Sequence, residues 1–174
     1  MIRNYRDLTR LEMEQVNKDE TIVLIPLGAL EQHGNQAPLG TDDIIAEAMT
    51  DYIRRELEGE PSSEDSDFPM LVFPVIPVGL STEHRNFCGS ITLKPDTYYH
   101  MLYDISTSLV HHGFKKLAFL VCHGGNAPIV QVLSRELRSE FGISPFILSS
   151  GAFSHPDVTA TISEGNIWDF HGGE

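Results

Sequence analysis

Short apolar runs alternate with helical segments along this chain, and this alternation limits the possible folds more than any other feature of the sequence. Residues 21–27 and 117–122 are continuous apolar runs of strand length, which is typical of strands that are buried on both faces of a sheet. From Thr41 and again from Pro95, apolar residues recur at helical spacing. This order of elements predicts an α/β domain with a largely parallel sheet.

Weaker patterns predict the remaining elements. Residues 5–16 are expected to form an amphipathic helix. Residues 71–77 are expected to form a strand, in which Pro74 indicates an edge position or a distortion because proline cannot donate a ladder hydrogen bond. Asn126 is expected to cap the helix that follows the strand 117–122, and residues 144–149 to form a last strand.

Composition indicates one cytoplasmic globular domain over residues 1–174. Hydrophobic residues make up 41% of the chain and charged residues 21%, which are ordinary values for a globular protein. The longest apolar runs are far shorter than a membrane span, and the first residues lack the apolar core of a signal peptide. A net charge of −13 argues against nucleic acid as a partner. Cys88 and Cys122 are isolated in sequence, so they are expected to be reduced thiols.

Glu31 and His33 follow the first of the buried runs. Side chains at i and i+2 of extended backbone point the same way, so both should face one spot at the carboxyl end of a strand. Open α/β sheets bind their ligands at that edge. An oxygen donor beside an imidazole suits Zn, Mn or Fe, although a solvated polar loop explains this pair alone equally well.

Asp42 and His123 are two further candidate ligands. Asp42 lies in the first turn of a predicted helix, where any acid stabilises the helix dipole, so by itself it needs no other role. His123 follows the apolar run 117–122 and precedes two glycines. It can be a core histidine, part of a phosphate-binding turn or a metal ligand; the missing GxGxxG and GK[ST] patterns weaken the phosphate reading. Its place at the ligand-binding edge of the sheet favours a metal ligand.

Glu83 and His84 lie in the loop 78–89 that follows the predicted strand 71–77. This loop is at the same edge of the sheet, so both are candidate catalytic residues. His84 can hydrogen-bond to a substrate or simply face water.

Five short motifs occur in one order along the chain. They are LGALEQHG at 27–34, GTD at 40–42, EHxxFxGSITL at 83–93, HGGN at 123–126 and HGGE at 171–174. Together they resemble the creatininase (creatinine amidohydrolase) family, and the resemblance extends from residue 26 to the end of the sequence.

The resemblance implies a fold and a set of site residues. The expected fold is a three-layer αβα sandwich with a mostly parallel sheet. The expected cofactors are two divalent metal ions, Zn with Mn or Fe. By this resemblance Glu31, His33, Asp42 and His123 match metal ligands, with Asp42 bridging. Creatininase itself carries Tyr-Glu after the strand histidine, where this chain has two glycines; Glu174 is then the expected replacement ligand. His171 matches a catalytic acid–base.

The expected function is that of a metal-dependent amidohydrolase. A water activated by two metals would hydrolyse a C–N bond in a small amide, formamide or lactam. The bonds expected to be cleaved are non-peptide C–N bonds. The chain lacks the creatininase Tyr-Glu, so creatinine itself is disfavoured as the substrate. The alternative is a non-catalytic or truncated relative that binds a small ligand. The resemblance also implies a homo-oligomer, commonly a hexamer, and a chain that lacks its C-terminal part.

Overall fold

A five-stranded parallel sheet forms the centre of the computed structural model, which describes residues 2–59 and 69–150. The strands are β1 (Ile2–Asn4), β2 (Ile22–Leu27), β3 (Met70–Val72), β4 (Lys116–Val121) and β5 (Phe146–Ser149). Their order in the sheet is β1-β3-β2-β4-β5, and every neighbouring pair runs parallel. The α/β fold with a mostly parallel sheet is therefore confirmed.

Helices cover both faces of this sheet. They are α1 (Arg10–Gln15), α2 (Thr41–Gly59), α3 (Pro95–His111) and α4 (Ala127–Phe141), with short 3-10 turns at Tyr5–Asp7, Thr82–His84 and Gly124–Asn126. One apolar cluster joins the sheet to α3 and α4, and a second joins its other face to α2. This arrangement is the predicted three-layer αβα sandwich. No helix in the described ranges is long and apolar enough to cross a membrane.

The central strand β2 shows why the apolar runs are continuous. Val23, Ile25 and Leu27 belong to the cluster with α3 and α4, whereas Leu24 belongs to the cluster with α2. Successive side chains of a strand point to opposite faces. Because both faces are covered, every one of these positions must be apolar, and none is more than 2% exposed.

The N-terminal segment differs from its prediction. Residues 5–16 do not form one helix, because Leu8 is extended and separates the turn Tyr5–Asp7 from α1. Thr9 and Glu12 form a capping box that starts α1. The strand β1 was not predicted at all. It has three residues, and it exists through parallel pairing with β3, in the register Ile2↔Met70.

The predicted strand 71–77 is shorter than expected and lies elsewhere in the sheet. Only Met70–Val72 is strand, and it lies between β1 and β2, so the edge position was wrong. The expected distortion is present. Beyond Val72 the Phe73 N–H donates to the carbonyl of Leu24, and the Ile76 N–H donates to the carbonyl of Pro26. Pro74, which lies between these two donors, has no N–H to continue the ladder.

Candidate metal centre

Charged and imidazole side chains collect at the carboxyl edge of the sheet. The strands β2 and β4 are neighbours there, with Leu27 paired to Val121 at their ends. Glu31 and His33 follow β2, His123 follows β4, and Asp42 lies in the first turn of α2. These residues are far apart in the chain, but they lie close together because neighbouring parallel strands end at the same edge of the sheet.

Glu31, Asp42 and His123 form a compact buried cluster. One donor atom from each lies within 4.8 Å of the others. The Nδ1 atom of His123 is 3.1 Å from Oε1 of Glu31 and 3.3 Å from Oδ2 of Asp42. Two ligands held at about 2.0 Å from a tetrahedral zinc ion lie about 3.3 Å apart. The donor set and its spacing therefore fit a divalent cation.

His33 extends this cluster on the other side of Asp42. Its Nε2 atom lies 3.4 Å from Oδ1 of Asp42. Its Nδ1 atom lies 3.2 Å from the backbone carbonyl of Glu31, so an N–H there leaves Nε2 as the donor atom that faces the carboxylate. The two oxygens of Asp42 thus face two different imidazoles, Oδ1 toward His33 and Oδ2 toward His123.

The loop after β3 places His84 beside the cluster and Glu83 away from it. His84 is buried, and its Nε2 atom is 3.9 Å from Oε1 of Glu31. The side-chain amide nitrogen of Gln32 lies 3.0 Å from Nδ1 of His84. When that amide donates to Nδ1, the ring proton resides on Nε2 and faces Glu31. The side chain of Glu83 is exposed on the same 3-10 turn.

The electrostatics of the cluster favour a positive charge between the carboxylates. Burial opposes a charge on His123, but its hydrogen bonds to Asp42, Glu31 and the Leu80 carbonyl outweigh burial and raise its pKa to about 10. Burial likewise acts to raise the pKa of Glu31, yet His123 and Ser81 lower it below its ordinary value. Two buried carboxylates that share one cationic neighbour are a typical environment for a bound metal ion.

The orientation of His123 depends on a backbone group that sequence reasoning did not find. Its Nε2–H donates to the carbonyl of Leu80 over 2.6 Å, which leaves Nδ1 facing Glu31 and Asp42. Gly125 makes room for this bond, since a Cβ there would lie 2.2 Å from the Leu80 oxygen and 2.4 Å from Nε2 of His123. Nothing local in the sequence relates Leu80 to His123.

Asn126 also differs from its prediction. It occupies the N-cap position of α4, but its side chain makes no capping hydrogen bond. Its amide instead contacts the backbone of Leu80 and Gly28. A buried amide can satisfy distant backbone groups when the tertiary structure places them within reach, and a capping pattern in the sequence does not reveal that choice.

His171 and Glu174 lie outside the described residues. The predicted catalytic acid–base and the predicted fifth metal ligand therefore remain predictions. Of the six other predicted site residues, the structure brings together Glu31, His33, Asp42, His84 and His123, and it places Glu83 at the surface.

The fold and the cluster define an α/β protein with a candidate metal site at the carboxyl edge of its sheet. The sequence model described as "Creatininase: Creatinine amidohydrolase" matches residues 6–174. This chain therefore belongs to the creatininase family, as the sequence motifs indicated.

Two curated relatives and one solved structure illustrate the family. A protein named mycofactocin precursor peptide peptidase, from Mycobacterium ulcerans (strain Agy99), is 33% identical over 118 residues, which are 68% of this chain and 46% of that protein. Creatinine amidohydrolase of Pseudomonas putida is 27% identical over 184 residues, covering 96% of this chain and 66% of that protein. A structure titled "Creatininase Mn" aligns with a TM-score of 0.76 and 25% identity, over 97% of this chain and 68% of the other.

The matched stretch of this chain spans about half the length of the peptidase relative, at 46%. The names of these two relatives refer to different substrates, a precursor peptide in one and creatinine in the other. The expected restriction to non-peptide bonds is therefore not supported, because one of these relatives is named a peptidase.

Proposed function

We propose that this protein is a metal-dependent amidohydrolase that cleaves a C–N bond of an amide, formamide or lactam. The observation that carries this proposal is the buried cluster of Glu31, Asp42 and His123, whose donor atoms lie within 4.8 Å of one another at the carboxyl edge of the sheet. Membership of the creatininase family supports it, because one relative is named an amidohydrolase and another a peptidase.

Two divalent metal ions, Zn with Mn or Fe, are the proposed cofactors. Glu31 and His123 would hold one ion and His33 the other, with Asp42 shared, since its two oxygens contact the two different imidazoles. Glu174 is proposed as a further ligand. When bound, such ions supply a nucleophilic water at neutral pH and polarise the carbonyl that is to be attacked.

Three side chains are proposed to handle substrate and protons. His84 would carry its proton on Nε2, the side that faces Glu31 and the metal cluster, because the Gln32 amide contacts its other ring nitrogen; a substrate bound at the cluster would accept that proton in a hydrogen bond. His171 would donate a proton to the nitrogen that leaves, as the family resemblance implies. Glu83, being exposed at the rim, would contact the outer part of a substrate.

The runner-up is a creatininase-like protein that binds a small ligand without hydrolysing it. It would keep the same cluster, so only turnover distinguishes the two. We also propose that the protein acts in the cytoplasm as a homo-oligomer, with a hexamer as the form that the resemblance implies. Nucleic acid is not a proposed partner, given the net charge of −13.

The test combines metal analysis with a substrate panel. Metal-free protein is loaded with Zn²⁺ or Mn²⁺, its bound metal is counted, and hydrolysis of creatinine, a formamidopyrimidine nucleotide and short peptides is measured. The variants Glu31→Gln and Asp42→Asn keep side-chain shape but remove charge. Loss of a group that only supports a metal ligand costs about 10–100-fold in metal affinity or activity. Because Glu31 and Asp42 are proposed as the ligands themselves, these variants should lose at least that much metal affinity.

The matched control is Asp104→Asn, which makes the same change at an exposed position of α3. It should bind metal and turn over substrate like the parent protein. Full metal content in Glu31→Gln and Asp42→Asn would refute the metal site. Tight metal binding without turnover of any amide would favour the binding protein.

A further inference from the structure

Asn126 joins three segments of the chain through one buried carboxamide. Its side chain is 0% exposed. Oδ1 accepts a hydrogen bond from the Leu80 N–H over 3.0 Å, and Nδ2 donates to the Gly28 carbonyl over 2.9 Å. These partners are 46 and 98 residues away in sequence, so the amide closes two long-range contacts at once.

Each of the three segments carries part of the candidate metal centre. Gly28 lies on the stretch between β2 and Glu31, and Leu80 lies in the loop 78–89 that holds His84. Asn126 belongs to the 3-10 turn that His123 starts. Both backbone groups of Leu80 bond to this turn, since its N–H donates to Asn126 and its carbonyl accepts from His123. Rotation of Leu80 would therefore disturb His123 as well.

The packing around the carboxamide leaves little freedom. A Cβ at Gly79 would lie 2.3 Å from Oδ1 and 2.8 Å from Nδ2 of Asn126, so the amide rests directly on the backbone there. The N-cap position of α4 does not need this side chain, which makes no capping hydrogen bond. The amide thus serves the spacing of the segments and not the start of the helix.

We propose that Asn126 is the positioning residue of the metal centre, an inference that rests on the proposed function. Its hydrogen bonds join Gly28 and Leu80 to the turn after β4, and they thereby set the distance between Glu31 and His123. They also fix the orientation of the His123 ring, which bonds to Leu80. Groups that orient metal ligands without touching the metal usually contribute about 10–100-fold to metal affinity. The Asn126 amide acts on two such ligands through backbone contacts.

The experiment is a Co²⁺ titration of the metal-free chain, followed by its visible absorption bands, which report the coordination geometry. Asn126→Ala removes both hydrogen bonds, whereas Asn126→Asp keeps the acceptor for Leu80 and puts a second oxygen against the Gly28 carbonyl. Both variants should bind Co²⁺ about 10–100-fold more weakly than the parent and show altered bands. Circular dichroism at the titration temperature verifies that each variant is folded.

Two further variants separate positioning from general stability. Ser106→Ala removes another fully buried hydrogen-bonding side chain, which donates to Leu102 within α3. Whatever its effect on the melting temperature, this variant should leave Co²⁺ affinity and spectrum unchanged. Gly79→Ala keeps Asn126 but pushes a methyl group against its amide, so it should weaken Co²⁺ binding as the Asn126 variants do.

The outcomes distinguish this inference from the proposed function. If the parent binds Co²⁺ and the folded Asn126 variants bind it equally well, the positioning role is wrong and the proposed function stands. If the parent binds none of the three ions Co²⁺, Zn²⁺ and Mn²⁺, the positioning role and the proposed function are both wrong. If Asn126→Ala and Asn126→Asp do not fold, Gly79→Ala decides, because parental affinity in that variant would overturn the positioning role.

Discussion

A single methyl group at Gly125 should disturb both the stability of the protein and its metal centre. In Gly125→Ala the new Cβ would lie 2.2 Å from the Leu80 oxygen and 2.4 Å from Nε2 of His123. These two atoms share a hydrogen bond of 2.6 Å. Ordinary contacts begin near 3.4 Å, so the methyl group must separate the two partners or move the backbone.

The magnitude follows from two costs and one gain. Leaving a buried carbonyl or N–H without its partner costs about 1–3 kcal/mol. Forcing an extra methyl group into a packed site costs about 1–3 kcal/mol more. Replacing glycine reduces the entropy of the unfolded chain, which returns about 0.4–1 kcal/mol. We expect Gly125→Ala to lower the free energy of unfolding by about 3 kcal/mol, which is about 6–12 °C in melting temperature for a domain of this size.

The assay compares two neighbouring glycines. A Cβ at Gly124 meets no atom within 4 Å, so Gly124→Ala should change the free energy of unfolding by less than about 1 kcal/mol, in the stabilising direction. Thermal unfolding and Zn²⁺ affinity are measured for both variants and the parent. Because Gly125→Ala turns the ring of His123, its Zn²⁺ affinity should also fall by about 10–100-fold. Equal stability and equal affinity in the two variants would refute the role given to the His123–Leu80 hydrogen bond.

Two further predictions concern pH and thiol chemistry. The Arg3 guanidinium, with the backbone and hydroxyl of Thr9, lowers the pKa of Glu12 from its ordinary 4.5 to about 2. Glu12→Gln should therefore lower the free energy of unfolding by its full amount at pH 6, and this difference from the parent should shrink as pH falls from 4.5 towards 2. Urea titrations at several pH values measure it. Cys88 is exposed, whereas Cys122 is buried, and burial together with the nearby charge of Asp42 raises the pKa of the Cys122 thiol to about 11. A thiol reagent should therefore label one cysteine in the folded protein and two after unfolding.

Each of these predictions has a clear contrary result. A stability difference between Glu12→Gln and the parent that stays constant from pH 6 to pH 3 would show that the ionised carboxylate contributes nothing to α1. For the thiols, Cys88→Ser is the control, and it should abolish labelling of the folded protein. Rapid labelling that persists in Cys88→Ser would mean that Cys122 is accessible.

Much of the fold could be predicted because local patterns and tertiary packing agree. The stretches 22–27 and 117–121, which form most of β2 and β4, are apolar at every position, as strands covered on both faces require. Pro95 stands at the start of α3, where a missing N–H costs nothing. The strand β1 was missed because three residues carry too little pattern, and its pairing with β3 supplies the order that the segment itself lacks.

The candidate ligands could be predicted for a related reason. Glu31 and His123 each follow a recognisable buried strand, and the carboxyl ends of parallel strands meet at one edge. Asp42 had an adequate local explanation as a helix-dipole acid, so only the family resemblance selected it as a ligand. The structure adds that its two oxygens lie beside His33 and His123.

The sequence by itself determined the alternation of strands and helices, the family and the chemical types of the candidate ligands, because these depend on short-range periodicity and on motifs contiguous in the chain. Only the tertiary structure decided how those ligands are held. The contacts of Asn126 with Leu80 and Gly28 join residues 46 and 98 positions apart. A hydrogen bond at that separation depends on where the strands end in space, and no periodicity in the chain encodes it.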